Sequence, residues 1–265
     1  MNYRILGTIL LLALSLGACQ TSPQSAKQTP HGIAQTSAPD PMTGRTFRTH
    51  LKETYYDLQH RTLSYREARL AMYLDIDNEG DSVECVYSGY KRYVRTLSAP
   101  GRALPINCEH TIPQSWFKKQ EPMVSDIHHL FPTYDKWNAL RSSYPFDEIP
   151  DEETEEWLLD DDKYFEIPTE SLAQYSEFGD EAFEPRNEHK GNLARAVFYF
   201  YTMYPKVGNI ERVAPLKTLL DWHESDPVDS EELERNDEIQ AVQGNRNPFI
   251  DHPEYAQQAW GSEVL

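Results

Sequence analysis

Cysteine is scarce in this 265-residue chain, which has only three. That is too few for a structural zinc site without help from histidine. Long apolar runs are scarcer still. Beyond an N-terminal stretch from Ile5 to Leu16, nothing approaches the roughly 18 apolar residues that a membrane-spanning helix requires. There is no internal repeat. The His-Glu-x-x-His pattern of zinc proteases is missing, as is any glycine-rich phosphate loop. No nucleophile elbow supports a Ser–His–Asp triad, although composition alone does not exclude one. Positive charge is in deficit, with 25 Lys and Arg against 43 Asp and Glu.

The deficit is local. Between Asp147 and Glu188 there are 17 acidic residues and two basic ones, Lys163 and Arg186. The remainder is close to neutral, so a net charge of −18 does not argue against a polyanionic partner. The acidic stretch is expected to be a solvated excursion. Charged residues make up 26% and aromatics 12%, the proportions of an ordinary folded protein.

The N-terminus reads as a processing signal. Arg4 supplies a short positive region, and the apolar stretch after it has the length of a signal-peptide core. Leu16-Gly17-Ala18-Cys19 resembles a bacterial lipobox, which makes residues 1–18 a lipoprotein signal peptide and Cys19 the lipidation site. An ordinary secretory signal with a chance cysteine is the plainer alternative. Residues 19–44, rich in Gln, Ser, Thr and Pro, are expected to be a flexible tether. Residues 45–265 form the folded domain. Export leaves Cys85 and Cys108 as an even pair in an oxidising compartment, where a disulfide would stabilise by about 2–4 kcal/mol. Two free buried thiols are the alternative.

The fold class expected is α+β and mostly helical. Phe47, Leu51, Tyr55 and Leu58 predict a helix over 46–58. Ser64-Tyr-Arg-Glu67 is a capping-box pattern opening a second helix to about Leu74. Short β-prone runs lie at 83–87, 106–111 and 127–134, the last followed by a short helix from Asp135 to about Leu140. Gly191 to Tyr204 reads as a buried helix stopped by Pro205. Leu216 to His223 follows behind Pro215, a favoured first-turn position. Asp229-Ser-Glu-Glu232 caps a helix running to Gly244, and Asp251-His-Pro-Glu254 is expected to cap a last one ending near Gly261.

Unusual residues concentrate in two β-prone segments, 107–116 and 126–133, with Asn138 and Arg141 on the helix that follows. Successive side chains on a strand point to opposite faces. Glu109 and His110 therefore reach one site only where their strand ends or bends, and the same holds for His128 and His129. A Glu, an Asn and a neutral His within one ββα unit suit Mg²⁺-assisted phosphodiester hydrolysis. Mg²⁺ takes one or two protein oxygens plus water and phosphate, and histidine is a base poised near neutral pH. Between Val86 and Lys119 there are six basic residues and one acidic one, Glu109, a local footprint suited to a polyanion.

These motifs carry a resemblance. Cys108-Glu109-His110 with Pro113 and Ser115, then Asp126-x-His128-His129-Leu130-x-Pro132, then Asn138 and Arg141, resemble the bacterial endonuclease I family. The likeness continues through Lys190-Gly191-Asn192-Leu193-Ala194-Arg195, Trp222 with Asp226-Pro227-Val228-Asp229, and Gln243-Gly244-Asn245-Arg246-Asn247-Pro248. It covers about residues 45–260. The resemblance implies a ββα-metal (His-Me finger) core with surrounding helices, in an enzyme acting outside the cytoplasm.

It also implies a non-specific Mg²⁺-dependent endonuclease that cuts DNA, and often RNA, and leaves 5′-phosphate ends. Glu109 and Asn138 would hold one Mg²⁺ ion, and His110 would be the general base. Some members place a phosphate-binding Arg between the His and the Asn. Here no Arg lies there, although Lys118 and Lys119 do, so Arg141, Arg195 and Arg246 are the candidate phosphate contacts. Arg195 could instead pair with a buried acid, and Arg246 could belong to a helix terminator. His128 and His129 are expected to support the finger, one of them as a structural brace. The partners implied are nucleic acid and, through the lipid anchor, a membrane of the bacterial cell envelope. No protein partner is called for. A non-catalytic surface lipoprotein that binds nucleic acid is the rival reading, with a phosphodiesterase for small nucleotides as a third.

Overall fold

The computed structural model describes residues 42–95 and 105–264. The expected signal peptide, Cys19 and most of the tether lie outside the described residues. Among the described residues no helix is long and apolar enough to cross a membrane.

Helix α1 (Gly44–Tyr55) buries Phe47 and Leu51 one turn apart. It stops short of Leu58, which is 94% exposed and so adds nothing to the buried face. Helix α2 (Tyr65–Ala71) starts with the expected capping box. The Ser64 hydroxyl accepts from the Glu67 N–H, and the Glu67 carboxylate accepts from the Ser64 N–H at 2.8 Å. It then widens into one π turn, Met72–Ile76. A hairpin follows, β1 (Ser82–Glu84) against β2 (Lys91–Tyr93).

The centre of the molecule is a ββα unit. Strands β3 (Ile106–His110) and β4 (Leu130–Tyr134) pair antiparallel, and helix α3 (Asp135–Arg141) follows directly. The third β-prone run is shorter than expected. Its first three residues, Ile127–His129, form a 3-10 turn, because the Asp126 side chain caps it by accepting the His128 N–H at 3.2 Å.

The acidic stretch is a correction. It folds as a four-stranded antiparallel sheet in the order β6-β5-β7-β8, from β5 (Glu156–Leu159), β6 (Asp162–Tyr164), β7 (Ser176–Gly179) and β8 (Ala182–Glu184). It buries Leu158 and Phe183 completely on one face and Trp157 on the other, while edge strand β6 is exposed throughout. Solvation describes the edge strand of this segment and not the whole of it.

Helix α4 (Asn187–Met203) is the core of the fold, buried along nearly its whole length. Around it pack α1, α5 (Leu216–Ser225), α7 (Pro248–Asp251) and α8 (Tyr255–Trp260). Pro215 precedes α5 as its N-cap and is not inside its first turn. Helix α6 (Ser230–Gln243) is capped by Asp229, which accepts the Glu232 N–H at 2.8 Å. It ends at Gly244 with φ +93°, where a Cβ would lie 2.4 Å from the Gln59 carbonyl oxygen. Only glycine suits both constraints. The expected cap at Asp251 is not made: Asp251 closes α7, and α8 starts from Glu254 without a side-chain cap.

Candidate active site

Glu109 and His110 are the last two residues of β3, so the expected strand end falls at this pair. Their side chains leave on opposite sides and meet different partners. Glu109 lies opposite Phe131 in the register and is buried. The Tyr87 hydroxyl, from the turn between β1 and β2, donates to its Oε1 at 2.9 Å. Arg141 Nη1 donates to the same oxygen at 2.9 Å. Among the described residues, both side-chain donors thus fall on Oε1. Burial pushes the Glu109 carboxyl up, with Arg141 and then Tyr87 opposing that rise. A cation brought to Oε2 would act in the same direction as Arg141.

Asn138 lies three residues before Arg141, and therefore on the same side of α3. Its side-chain amide makes no hydrogen bond with any described residue, and its backbone carbonyl closes the helix by accepting the Ser142 N–H at 2.9 Å. A carboxylate oxygen without a side-chain donor and an uncommitted amide oxygen are the hard-donor chemistry that Mg²⁺ takes. The residues present fit that ion. Clusters of three or more His, Cys, Asp or Glu suited to a metal are absent among the described residues.

His110 lies on the other side of β3, buried among Tyr65, Phe117 and His129. Its Nε2 lies 3.1 Å from the carbonyl oxygen of Val124. A carbonyl only accepts, so Nε2 carries the proton and Nδ1 carries the lone pair. Burial, followed by the neighbouring His129, pushes the imidazole pKa down to about 3 and keeps it neutral. A neutral imidazole with a fixed tautomer is what a general base requires.

His128 and His129 are pinned in the same way. His129 Nε2 donates to the Met123 carbonyl at 2.7 Å and His128 Nε2 to the Asn245 carbonyl at 3.1 Å. The Nδ1 atom of each is buried without a partner among the described residues. Their rings pack on Phe200 and Tyr199 of α4.

The three arginines are corrections. Arg141 is spent on Glu109 and on the carbonyls of His110 and Thr111, with 1% of its side chain exposed. Arg195 is fully buried and forked onto Glu232 at 2.6–2.7 Å, with further bonds to Asn192 and the Asp226 carbonyl. Arg246 pairs with Asp251 at 2.6–2.7 Å and with Asp237. Guanidinium groups committed to carboxylates in this way have no donor fork turned to a phosphate. Of the basic segment, Lys91 faces Glu84 at 3.0 Å and Arg95 faces Asp81 at 3.7 Å, so acids of the β1 hairpin offset part of its charge. Lys118 and Lys119 differ. Both are exposed, both hold a left-handed backbone at φ +56° and +54°, and neither has an ion-pair partner among the described residues. The charge of Lys119 is felt at His110.

The expected disulfide is also a correction, since Cys85 and Cys108 are free and buried. Strand β4 stands between them. Cys108 pairs with Pro132 on one side of β4, and the Pro132 carbonyl accepts the Val86 N–H on the other. Two strand spacings, about 10 Å, exceed what a disulfide spans.

Two groups were missed in the sequence. Tyr87 looks there like any residue of a β-prone run, and the Val124 carbonyl belongs to a backbone that every residue shares.

Curated relatives share part of the chain. An extracellular ribonuclease of Bacillus amyloliquefaciens is 36% identical over 151 residues, 51% of this chain and 46% of the relative. An extracellular ribonuclease of Bacillus subtilis is 35% identical over 153 residues, with the same two shares. A periplasmic deoxyribonuclease of Aeromonas hydrophila is 28% identical over 169 residues, 57% of this chain and 65% of the relative. The chain thus spans about half the length of the two ribonucleases and somewhat more of the deoxyribonuclease. The Endonuclease I family matches over residues 32–254, from before α1 to the start of α8 and through the whole ββα unit. The chain belongs to the endonuclease I family.

Proposed function

We propose that this protein is a divalent-metal-dependent endonuclease that hydrolyses phosphodiester bonds of DNA and RNA outside the cytoplasm. The observation that carries the reading is the bond between His110 Nε2 and the Val124 carbonyl, made at the end of the strand that also presents Glu109. It leaves Nδ1 as a base of fixed direction. His110 takes the proton of the attacking water at Nδ1. Glu109 and Asn138 would hold the ion, and Tyr87 and Arg141 keep the Glu109 carboxylate in place. An ion held there would supply positive charge to the phosphate in the transition state and to the departing 3′ oxygen. Cleavage in that sense leaves 5′-phosphate ends.

Lys118 and Lys119 replace the three arginines as the phosphate contacts. Contacts of this kind position the backbone without reading sequence, which suits a non-specific enzyme. The names of the relatives, ribonuclease and deoxyribonuclease, support a substrate common to both polymers. Their extracellular and periplasmic location, with the lipobox-like Cys19, supports a lipid-anchored enzyme of the bacterial cell envelope.

Plasmid nicking by the purified protein in Mg²⁺ and in EDTA, beside His110→Ala, tests the reading. Mg²⁺-dependent nicking that falls by about 10²–10⁴ in the folded variant is expected. A folded wild type that binds DNA without cutting it would leave a binding lipoprotein in its place.

A further inference from the structure

The direction of His110 depends on where the Val124 carbonyl sits, and Val124 lies in an irregular turn, Met123–Ser125, between an exposed lysine-bearing loop and β4. The Asp126 side chain, beside the packing of Val124 in the core, ties this turn to the helical body. Asp126 is fully buried and accepts four hydrogen bonds. Its Oδ1 takes the His128 N–H at 3.2 Å and Gln243 Nε2 at 2.8 Å, and its Oδ2 takes the hydroxyls of Tyr199 at 2.8 Å and Tyr204 at 2.6 Å. The side-chain donors come from α4, from its C-cap Tyr204 and from the end of α6.

The directions of these bonds are fixed by their own partners. The Tyr199 oxygen already accepts from Asn245 Nδ2 at 2.7 Å, so its proton goes to Asp126. Gln243 accepts the Ile127 N–H on Oε1 at 2.9 Å, so its amide nitrogen faces Asp126. The carboxylate therefore meets donors only and is charged, yet among the described residues no lysine or arginine pairs with it. A buried charge satisfied by neutral donors alone is costly to keep, and an apolar residue would fill the space more cheaply if filling were its purpose.

We propose that Asp126 is a positioning residue for the base. It locks the 123–129 turn onto α4 and α6, so that the Val124 carbonyl holds His110 in the Nε2–H form and turns Nδ1 toward the scissile phosphate. The second carbonyl of the same turn, Met123, holds His129 behind it. This inference rests on the endonuclease reading for its kinetic consequence but not for its structural one.

The experiment has two arms. In the first, kcat and KM for plasmid cleavage are measured for wild type, Asp126→Asn, His110→Ala and the double variant. Asp126→Asn is expected to lower kcat by about ten- to a hundredfold with KM within threefold, and to cost nothing further in the His110→Ala background. An equal loss in both backgrounds would make Asp126 merely structural and overturn the proposal. In the second arm, long-range ¹H–¹⁵N NMR reads the His110 ring, expected as the Nε2–H tautomer in wild type and as a tautomer mixture in Asp126→Asn. An unchanged His110 signature would overturn it independently. Tyr204→Phe removes one donor only and carries both arms, with a several-fold kcat loss, should Asp126→Asn not fold. A wild type that cuts nothing would sink the endonuclease reading while the NMR arm still decides the role of Asp126.

Discussion

Arg141 holds Glu109 across the ββα unit, Nη1 to Oε1 at 2.9 Å, with 1% and 3% of the two side chains exposed. A residue expected at the phosphate is instead the internal counter-charge of the expected metal ligand. Arg141→Met would leave a buried carboxylate with Tyr87 as its remaining side-chain donor, at a cost of about 3–5 kcal/mol. Urea unfolding should register that loss. The salt dependence of DNA binding, read on the folded fraction, should stay as in wild type.

Metal binding should appear as stability. At a Mg²⁺ concentration about a hundredfold above its dissociation constant, the folded state gains about 2.7 kcal/mol. Thermal melts with Mg²⁺ and with EDTA should therefore differ in wild type. The difference should vanish in Glu109→Gln and in Asn138→Ala. A retained shift in both variants would place the ion elsewhere.

Lys118 and Lys119 should set the electrostatic docking of substrate. Changing each to Gln should lower the slope of log affinity against log salt by roughly one per lysine, uniformly across sequences. Arg195→Gln and Arg246→Gln should leave that slope alone and lower the melting temperature. Fluorescence anisotropy of a labelled oligonucleotide in EDTA separates these outcomes without cleavage.

Glu177 gives the acidic sheet a pH signature. It faces Glu184 across the β7–β8 pair, and both are buried. Burial pushes the Glu177 carboxyl up to about 7, a rise that the Thr154 hydroxyl opposes and Glu184 reinforces. A carboxyl raised in the folded state binds protons that the unfolded chain releases near 4.5. Its contribution is present at low pH and is lost as pH rises from about 4.5 through about 7. Glu177→Gln should match wild type at pH 4.5 and be more stable at pH 8, by on the order of 2 kcal/mol. Equal stability at both values would show that the group titrates normally.

The cysteines of the folded domain should be inert. Burial raises both thiols, Cys108 to about 12. A thiol reagent should react with Cys85 and Cys108 only after denaturation, and reductant should leave the melting temperature unchanged. A melting temperature that falls in reductant would restore the disulfide.

Much of the architecture was legible because its signals are local. The Ser64–Glu67 box, the Gly244 stop and the Asp229 cap each act within one helical turn, so short windows contain them whole. The acidic sheet was not legible. Its buried positions are few, chiefly Trp157, Leu158 and Phe183, and the charged residues between them mask any alternation. The site divided in the same way. Glu109, His110 and Asn138 stand within two short motifs. What Arg141 and Arg195 touch is decided by Glu109 and Glu232, 32 and 37 residues away. Side-chain type says that an arginine will find an anion; only the fold says whether that anion is a phosphate or a carboxylate.

The free thiols of Cys85 and Cys108 bear on when the protein becomes active. A fold that closes without an oxidation step is as reachable in the reducing interior of the producing cell as beyond its membrane. For an exported nuclease, as proposed above, redox chemistry therefore supplies no timer that delays activity until after translocation. On the proposed function, protection of the cell's own nucleic acids then falls to the order of events, with translocation completed before the folded domain closes around α4.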